Sequence, residues 1–284
     1  MKQRSAMANY TNDSSWWDTQ ISDIGKNRIT IRGYPIQELI GNVTYAQMLY
    51  LLLCGELLPV KKAALLESVL VAGADHGPRA PSIAAARMAA TCGVSFNSCI
   101  ATGINLLGDA HGGAGEQAMK LFYDTAALLD HAGNDLRSVV EAQVDRIQEE
   151  GSKLPGFGHQ LHDDDPRVRR LGQLARTMVD EGEISGKYLQ IADEYLSCLI
   201  EKKKRQMTMN IDGISAAIQC ELAIPSESAK GIFALSRGLG ILAHAFEELR
   251  GGVLIKGPCP NDERCVRYSG PPLRHLAEDP ARER

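Results

Sequence analysis

A chain of 284 residues is long enough to bury a substantial core as one large domain or two modest ones, and is no disulfide-stapled miniature. Its seven cysteines (54, 92, 99, 198, 220, 259 and 265) are odd in number, scattered and free of any Cys-x-x-Cys pair, which fits a reducing, cytoplasmic setting. A net charge of -4 with scattered basic residues argues against a nucleic-acid partner, and the lack of an apolar twenty-mer or Arg-rich leader argues against membrane insertion or export.

In chain order, "NRITIRGYPI" is the one segment that reads as β, a short hairpin at most. "VTYAQMLYLLLCGELLP" predicts a helix with Tyr45, Met48, Leu49, Leu52 and Leu53 on one face, stopped by Gly55 and Pro59. "PSIAAARMAATCGV" and "SCIATGINLLGD" are rich in small residues and predict closely packed, deeply buried helices. Another helix opens after the glycine pair of "HGGAGEQAMKLFYDTAALLDHA". In "DPRVRRLGQLARTMVDEG", Asp165 is placed as N-cap and Pro166 as first helical residue, with Val168, Leu171, Leu174 and Met178 as the buried stripe. Further helices run from Lys187 to about Lys202, from Gly213 to about Leu222, and from about Ser226 to Leu249. The fold class is therefore all-α, with polar, loose ends.

Three places set a polar residue where a glycine-rich turn enters a helix: His111 in "GDAHGGAGE", His159 in "PGFGHQLH" and Asp212 in "MNIDGIS". Glycines let a backbone approach a ligand closely, and helix N-termini offer free N–H groups and a partial positive charge. The same field keeps an imidazole neutral and able to donate to a carbonyl. Each has a plainer reading: His111 finishing a loop, Asp212 as an ordinary N-cap. "GFGHQLHDDDPRV" itself permits a metal site built from His159, His162 and Asp163 to Asp165, a helix cap, or an anion pocket. A cation in a first helical turn, like Arg167, makes best sense if it grips a carboxylate bidentately. Arg237 interrupts an apolar helix, where a buried guanidinium needs an anionic partner. His76 and Arg79 in "DHGPRAPS" are further basic candidates, and "EKKKRQ" is a solvated face or a grip on the phosphates of a nucleotide-like carrier.

Together, "IRGYPIQELI...LLLCGELLP", "HGGAGE", "GFGH...DPR" and "NIDG" resemble the citrate synthase family in order and spacing, from about Trp17 to Pro271. The resemblance implies a two-domain helical dimer, with residues 1–114 and 226–284 as large domain and 115–225 as an inserted small domain carrying coenzyme A. It implies that His111 holds the thioester carbonyl, Asp212 moves the methyl proton, and His159 serves the oxaloacetate oxygen. His76, Arg167 and Arg237 would bind carboxylates, and Leu154, Gly156, Gly158 and Lys204 would contact coenzyme A, with no metal. The substrates implied are oxaloacetate or citryl-CoA and acetyl-CoA.

Several positions depart from the synthase pattern: Gly115 stands where Asn is common, His162 where Tyr is common, and no histidine follows two residues after Asp212. The arginine expected to cross the dimer has three candidates, Lys256, Arg264 and Arg267. These departures and the short N-terminal region look more like the citryl-CoA lyases of the family. A synthase of citrate or 2-methylcitrate, a non-catalytic regulatory member and a metal hydrolase are the competing expectations.

Overall fold

Strand pairing at the N-terminus goes one strand further than a hairpin. In the computed structural model, which describes residues 16–130, 135–158, 164–260 and 262–274, β1 (Ser22–Gly25), β2 (Arg28–Ile31) and β3 (Tyr34–Pro35) form an antiparallel sheet in that order. Gly25 pairs with Arg28 across a two-residue turn in which Asn27 takes φ 59°. The four residues of β1 are too short to carry a period-2 signal, so only its partners were legible.

The rest is helical: α1 (Ile36–Leu39), α2 (Tyr45–Cys54), α3 (Val60–Gly73), α4 (Pro81–Thr91), α5 (Phe96–Asn105), α6 (Ala114–Leu129), α7 (Leu136–Glu149), α8 (Pro166–Asp180), α9 (Lys187–Lys203), α10 (Ile211–Glu221) and α11 (Ala229–Gly251). A 3-10 turn, Ser226–Ser228, precedes α11, and Gly252 stops it at φ 66°.

Helix α2 buries a different face from the one its pattern predicts. Ala46, Gln47, Leu49 and Leu51 are buried, whereas Tyr45 and Leu53 are exposed. Gln47 explains the rotation. It closes a capping box with Thr44, and its Nε2 donates to the Leu58 carbonyl at 2.9 Å, so a polar residue is fully employed inside. Helix α8 follows its pattern: Asp165 accepts from the Arg167 N–H, Leu171 and Met178 are buried, and Val168 and Leu174 pack at the core edge.

The main core joins α2 and α3 with α6 to α10 and the start of α11 around Phe122 and Tyr195. A second cluster, Ile83, Ala86, Ala90, Cys99, Ile241 and Ala245, joins α4, α5 and α11. There the small residues serve close approach: a Cβ on Gly103 would lie 2.7 Å from the Ser82 carbonyl. No helix of the described residues is long and apolar enough to cross a membrane.

Candidate active site

His111 sits in a tight turn before α6, where its backbone exchanges hydrogen bonds with Gly108 at 2.9 and 3.1 Å. Gly112 follows at φ 97°, a conformation L side chains avoid. His111 Nε2 lies 3.0 Å from the Ser82 hydroxyl in the first turn of α4. Burial, and after it the charge of Arg237, hold the imidazole below its ordinary 6.5. Desolvation and a neighbouring cation thus favour the neutral imidazole.

Asp212 is not the cap of its helix. Asn210 is, accepting from the N–H groups of Asp212 and Gly213 at 3.0 and 3.2 Å, which leaves Asp212 inside the first turn with its carboxyl unspent on capping. Burial pushes that carboxyl above its ordinary range, against the pull of Arg167 and Arg237. Asn210 also donates from Nδ2 to the Gly158 carbonyl at 2.9 Å, and its N–H reaches the Gly156 carbonyl at 3.0 Å. Gly156, at φ 86°, meets α10 backbone to backbone: a Cβ there would lie 2.7 Å from Gly213 Cα. The 156–158 turn and the start of α10 are therefore one unit.

Arg167 does meet a carboxylate, that of its own cap. Asp165, fully buried, accepts from the Arg167 N–H and Nε at 3.0 Å and from Nη2 at 2.6 Å. Arg237 is only 4% exposed. Its Nε donates to the Gly73 carbonyl at 2.9 Å and its guanidinium stands 5.0 Å from the Phe233 ring centroid. It makes no ion pair with any described residue. Burial lowers its pKa and Arg167 adds to that, while Asp75 and Asp212 oppose. A buried cation on a cleft wall, without an ion-paired counterion, is a ready anion site.

These residues converge on a cleft of about 840 Å³ lined by His76, Arg79, His111, Gly158, Arg167, Asn210, Asp212, Phe233 and Arg237, among others. His76 is at the exposed rim. Of the other expected cofactor contacts, Leu154 is buried in the main core, Gly156 lies in the joint with α10, and Lys204 is exposed at the end of α9 with φ 48°. His159 lies outside the described residues, as do His162 and Asp163. Asp164 pairs with Arg169 and Asp165 with Arg167, so two of the carboxylates weighed as metal ligands are engaged by arginines. Among the described residues no group of three or more His, Cys, Asp or Glu side chains could hold a metal. Of the C-terminal cations, Lys256 donates to Glu248 at 2.9 Å and Arg264 to Asp262 at 2.6 Å, whereas Arg267 makes no ion pair with any described residue.

Ser82, Asn210 and Phe233 escaped sequence reasoning. Asn210 alone left a signal, an N-cap residue type two positions before Asp212. Ser82 and Phe233 meet the site only through tertiary packing.

The family description "Citrate synthase, C-terminal domain" matches residues 57–257. The citrate synthase of Saccharolobus solfataricus is 29% identical over 184 residues, 64% of this chain and 47% of that protein. That of Haloferax volcanii is 28% identical over 193 residues, 67% of this chain and 48% of that protein. The chain thus spans about half the length of the curated relatives it matches. Among solved structures, citryl-CoA lyase from Hydrogenobacter thermophilus superposes with a TM-score of 0.82 at 33% identity, covering 92% of this chain and 98% of that one. ATP citrate lyase from Methanothrix soehngenii, in complex with citrate and coenzyme A, shares the fold at a TM-score of 0.77 and 21% identity, over 92% of this chain and 43% of that one. With the motifs, the helical architecture and this match to well over half its length, the chain belongs to the citrate synthase family.

Proposed function

We propose that the protein is a carbon–carbon lyase that cleaves citryl-CoA, or a related 3-hydroxy-3-carboxyacyl-CoA, to acetyl-CoA and oxaloacetate. The observation that carries this reading is the cleft itself: a carboxyl with a raised pKa, a histidine with a lowered one and two arginines around one cavity. The likeness to citryl-CoA lyase over 98% of that chain supports the direction.

In this reading His159 accepts the proton of the substrate hydroxyl. The oxygen's electron pair forms the ketone of oxaloacetate as the carbon–carbon bond breaks, and the released pair passes into the thioester as an enolate. His111, neutral, donates a hydrogen bond to that developing oxyanion. Ser82 helps if its hydroxyl donates to Nε2, because the ring proton then sits on Nδ1 as the donor. Asp212, whose neutral form burial favours, delivers a proton to the enolate carbon and completes acetyl-CoA. Arg167, Arg237 and His76 hold carboxylates, and Leu154, Gly156, Gly158 and Lys204 are assigned to the coenzyme A side. No metal is required in this scheme.

The proposed division, 1–114 with 226–284 against 115–225, draws support from the cleft, whose walls come from both parts: His111 and Arg237 from one, Arg167 and Asp212 from the other. A homodimer is supported by α11, where Leu235, Leu239, Leu242, Phe246 and Leu249 stand exposed at alternating spacings of four and three, an apolar stripe fit to pack on a second copy. Seven unpaired cysteines support a reducing, cytoplasmic location.

The curated relatives favour a second reading, a synthase of citrate or 2-methylcitrate that would use the same residues in reverse. The deciding experiment incubates the protein with citryl-CoA, and separately with acetyl-CoA and oxaloacetate, following oxaloacetate and free thiol. Oxaloacetate appearing from citryl-CoA without thiol release supports the lyase. Thiol release with citrate formation makes it a synthase, and silence in both rejects both.

A further inference from the structure

A chain of polar contacts behind the cleft has no place in the scheme above. Arg87, on α4, reaches α11. Its Nη1 stands 2.9 Å from His244 Nδ1 and 2.6 Å from Glu247 Oε2, and its Nη2 stands 2.5 Å from Glu248 Oε2. On its other side, His244 Nε2 faces Asp75 Oδ1 at 3.3 Å. Guanidinium carries donors only, so His244 Nδ1 must accept, and the ring's one proton is left on Nε2 toward Asp75. The tautomer is dictated by its neighbour.

Asp75 precedes His76 at the start of the 76–79 segment that lines the cleft. Burial pushes its carboxyl up, but hydrogen bonds from the Gly77 N–H and from His244 outweigh this and hold it below the ordinary range. The same segment is pressed onto α11 at Gly240, whose N–H donates to the Ala74 carbonyl at 3.1 Å and where a Cβ would come within 2.9 Å of Asp75 Oδ1. Asp75 also favours the charged form of Arg237. The carboxylate therefore touches both the rim and the field of the anion site.

We infer that His244 is a positioning residue for substrate carboxylates: fixed by Arg87, it holds Asp75, which sets the 76–79 rim segment. The relay continues outward, because Glu248, ion-paired with Arg87, accepts from Lys256 Nζ at 2.9 Å through its other oxygen, and the Lys256 N–H is anchored on Thr91 Oγ1 at 3.0 Å. The C-terminal segment and the substrate rim thereby share one network.

This inference rests on the proposed function for its kinetic arm, and a second arm is independent of it. In the kinetic arm, His244→Phe removes both ring contacts and raises KM for citryl-CoA about tenfold, the scale seen when a hydrogen-bonded support behind a ligand-holding group is lost. Its kcat is unchanged, because ground-state and transition-state binding fall together. His244→Gln, whose amide N–H can replace Nε2–H toward Asp75, recovers most of the loss, and Asp75→Asn reproduces it. In the second arm, hydrogen–deuterium exchange of the substrate-free protein reads the Gly77 amide, which exchanges faster in His244→Phe and returns toward wild type in His244→Gln. Unchanged Gly77 exchange in His244→Phe overturns the inference, as does a loss of thermal stability with KM unmoved. A wild-type protein silent toward citryl-CoA would sink only the functional reading, leaving the exchange arm to decide this one.

Discussion

Arg167 spends its Nε and one Nη2 proton on the carboxylate of Asp165, two residues before it. A guanidinium has five N–H donors, so this pairing orients the fork while leaving others for a ligand. Asp165 is at once helix cap and arginine holder. Replacing it by alanine costs about 1 kcal/mol for the cap alone, and more for the arginine left unpaired. Thermal unfolding checks the first part, and a raised KM for citryl-CoA checks the second. Arg167→Lys keeps the charge but loses the fork, so KM rises while the melting temperature stays close to wild type.

The joint between Gly156 and Gly213 leaves no room for a methyl group. A Cβ on Gly213 would lie 2.3 Å from the Gly156 carbonyl oxygen, and both sides are backbone. Gly213→Ala is expected to destabilise by about 1–3 kcal/mol, the usual cost of overpacking, although alanine is the better helix former. Denaturant melts of Gly213→Ala against Gly231→Ala, a helical glycine where an added methyl would meet nothing within 4 Å, give the comparison. Equal stabilities would contradict the joint.

Stability near the site depends on pH in two opposed ways. Asp212 has a folded pKa above its ordinary 3.8, so its contribution is full below that value and lost as pH rises through the raised one. His111 has a folded pKa below 6.5, so its contribution is full above 6.5 and lost as pH falls through the lowered value. Asp212→Asn should therefore raise the melting temperature at neutral pH while lowering kcat by about 10²- to 10⁴-fold, the range for a lost general acid or base. Melting curves across pH, with citryl-CoA turnover, test both halves.

A charge placed on the apolar stripe of α11 should separate the proposed dimer. Leu239 is 62% exposed in the single chain, so Leu239→Glu costs little within one copy and buries an unpaired carboxylate between two. Light scattering should report a dimer for the parent and a monomer for the variant, with helicity retained. A parent that is already monomeric ends the proposal.

Local chemistry made much of this fold legible. Asp165 before Pro166 announced α8, Gly55 ended α2, and the helix-entry turns at His111 and Asp212 marked two walls of the cleft. Long-range partnerships were opaque. The buried face of α2 turns on Gln47 finding the Leu58 carbonyl, which no apolar period encodes. Lys256, weighed as a cation for a neighbouring chain, is claimed by Glu248 across a helix end. The plainer reading of Asp212, as an N-cap, fails because the cap is Asn210, one isoleucine earlier. That Gly156 sits in a backbone joint and Leu154 in the core is likewise decided by packing that no local pattern encodes.

Asn210 also makes the site sensitive to the exchange of a single atom. Its carbonyl oxygen caps α10 while its amide nitrogen ties down Gly158, so slow hydrolysis of that one side chain to aspartate would act selectively. The helix would keep a competent cap, but the tie would become two oxygens facing each other, and a new negative charge would arrive two residues from Asp212. The change would be felt where the 156–158 turn meets α10, in the joint that carries Asp212.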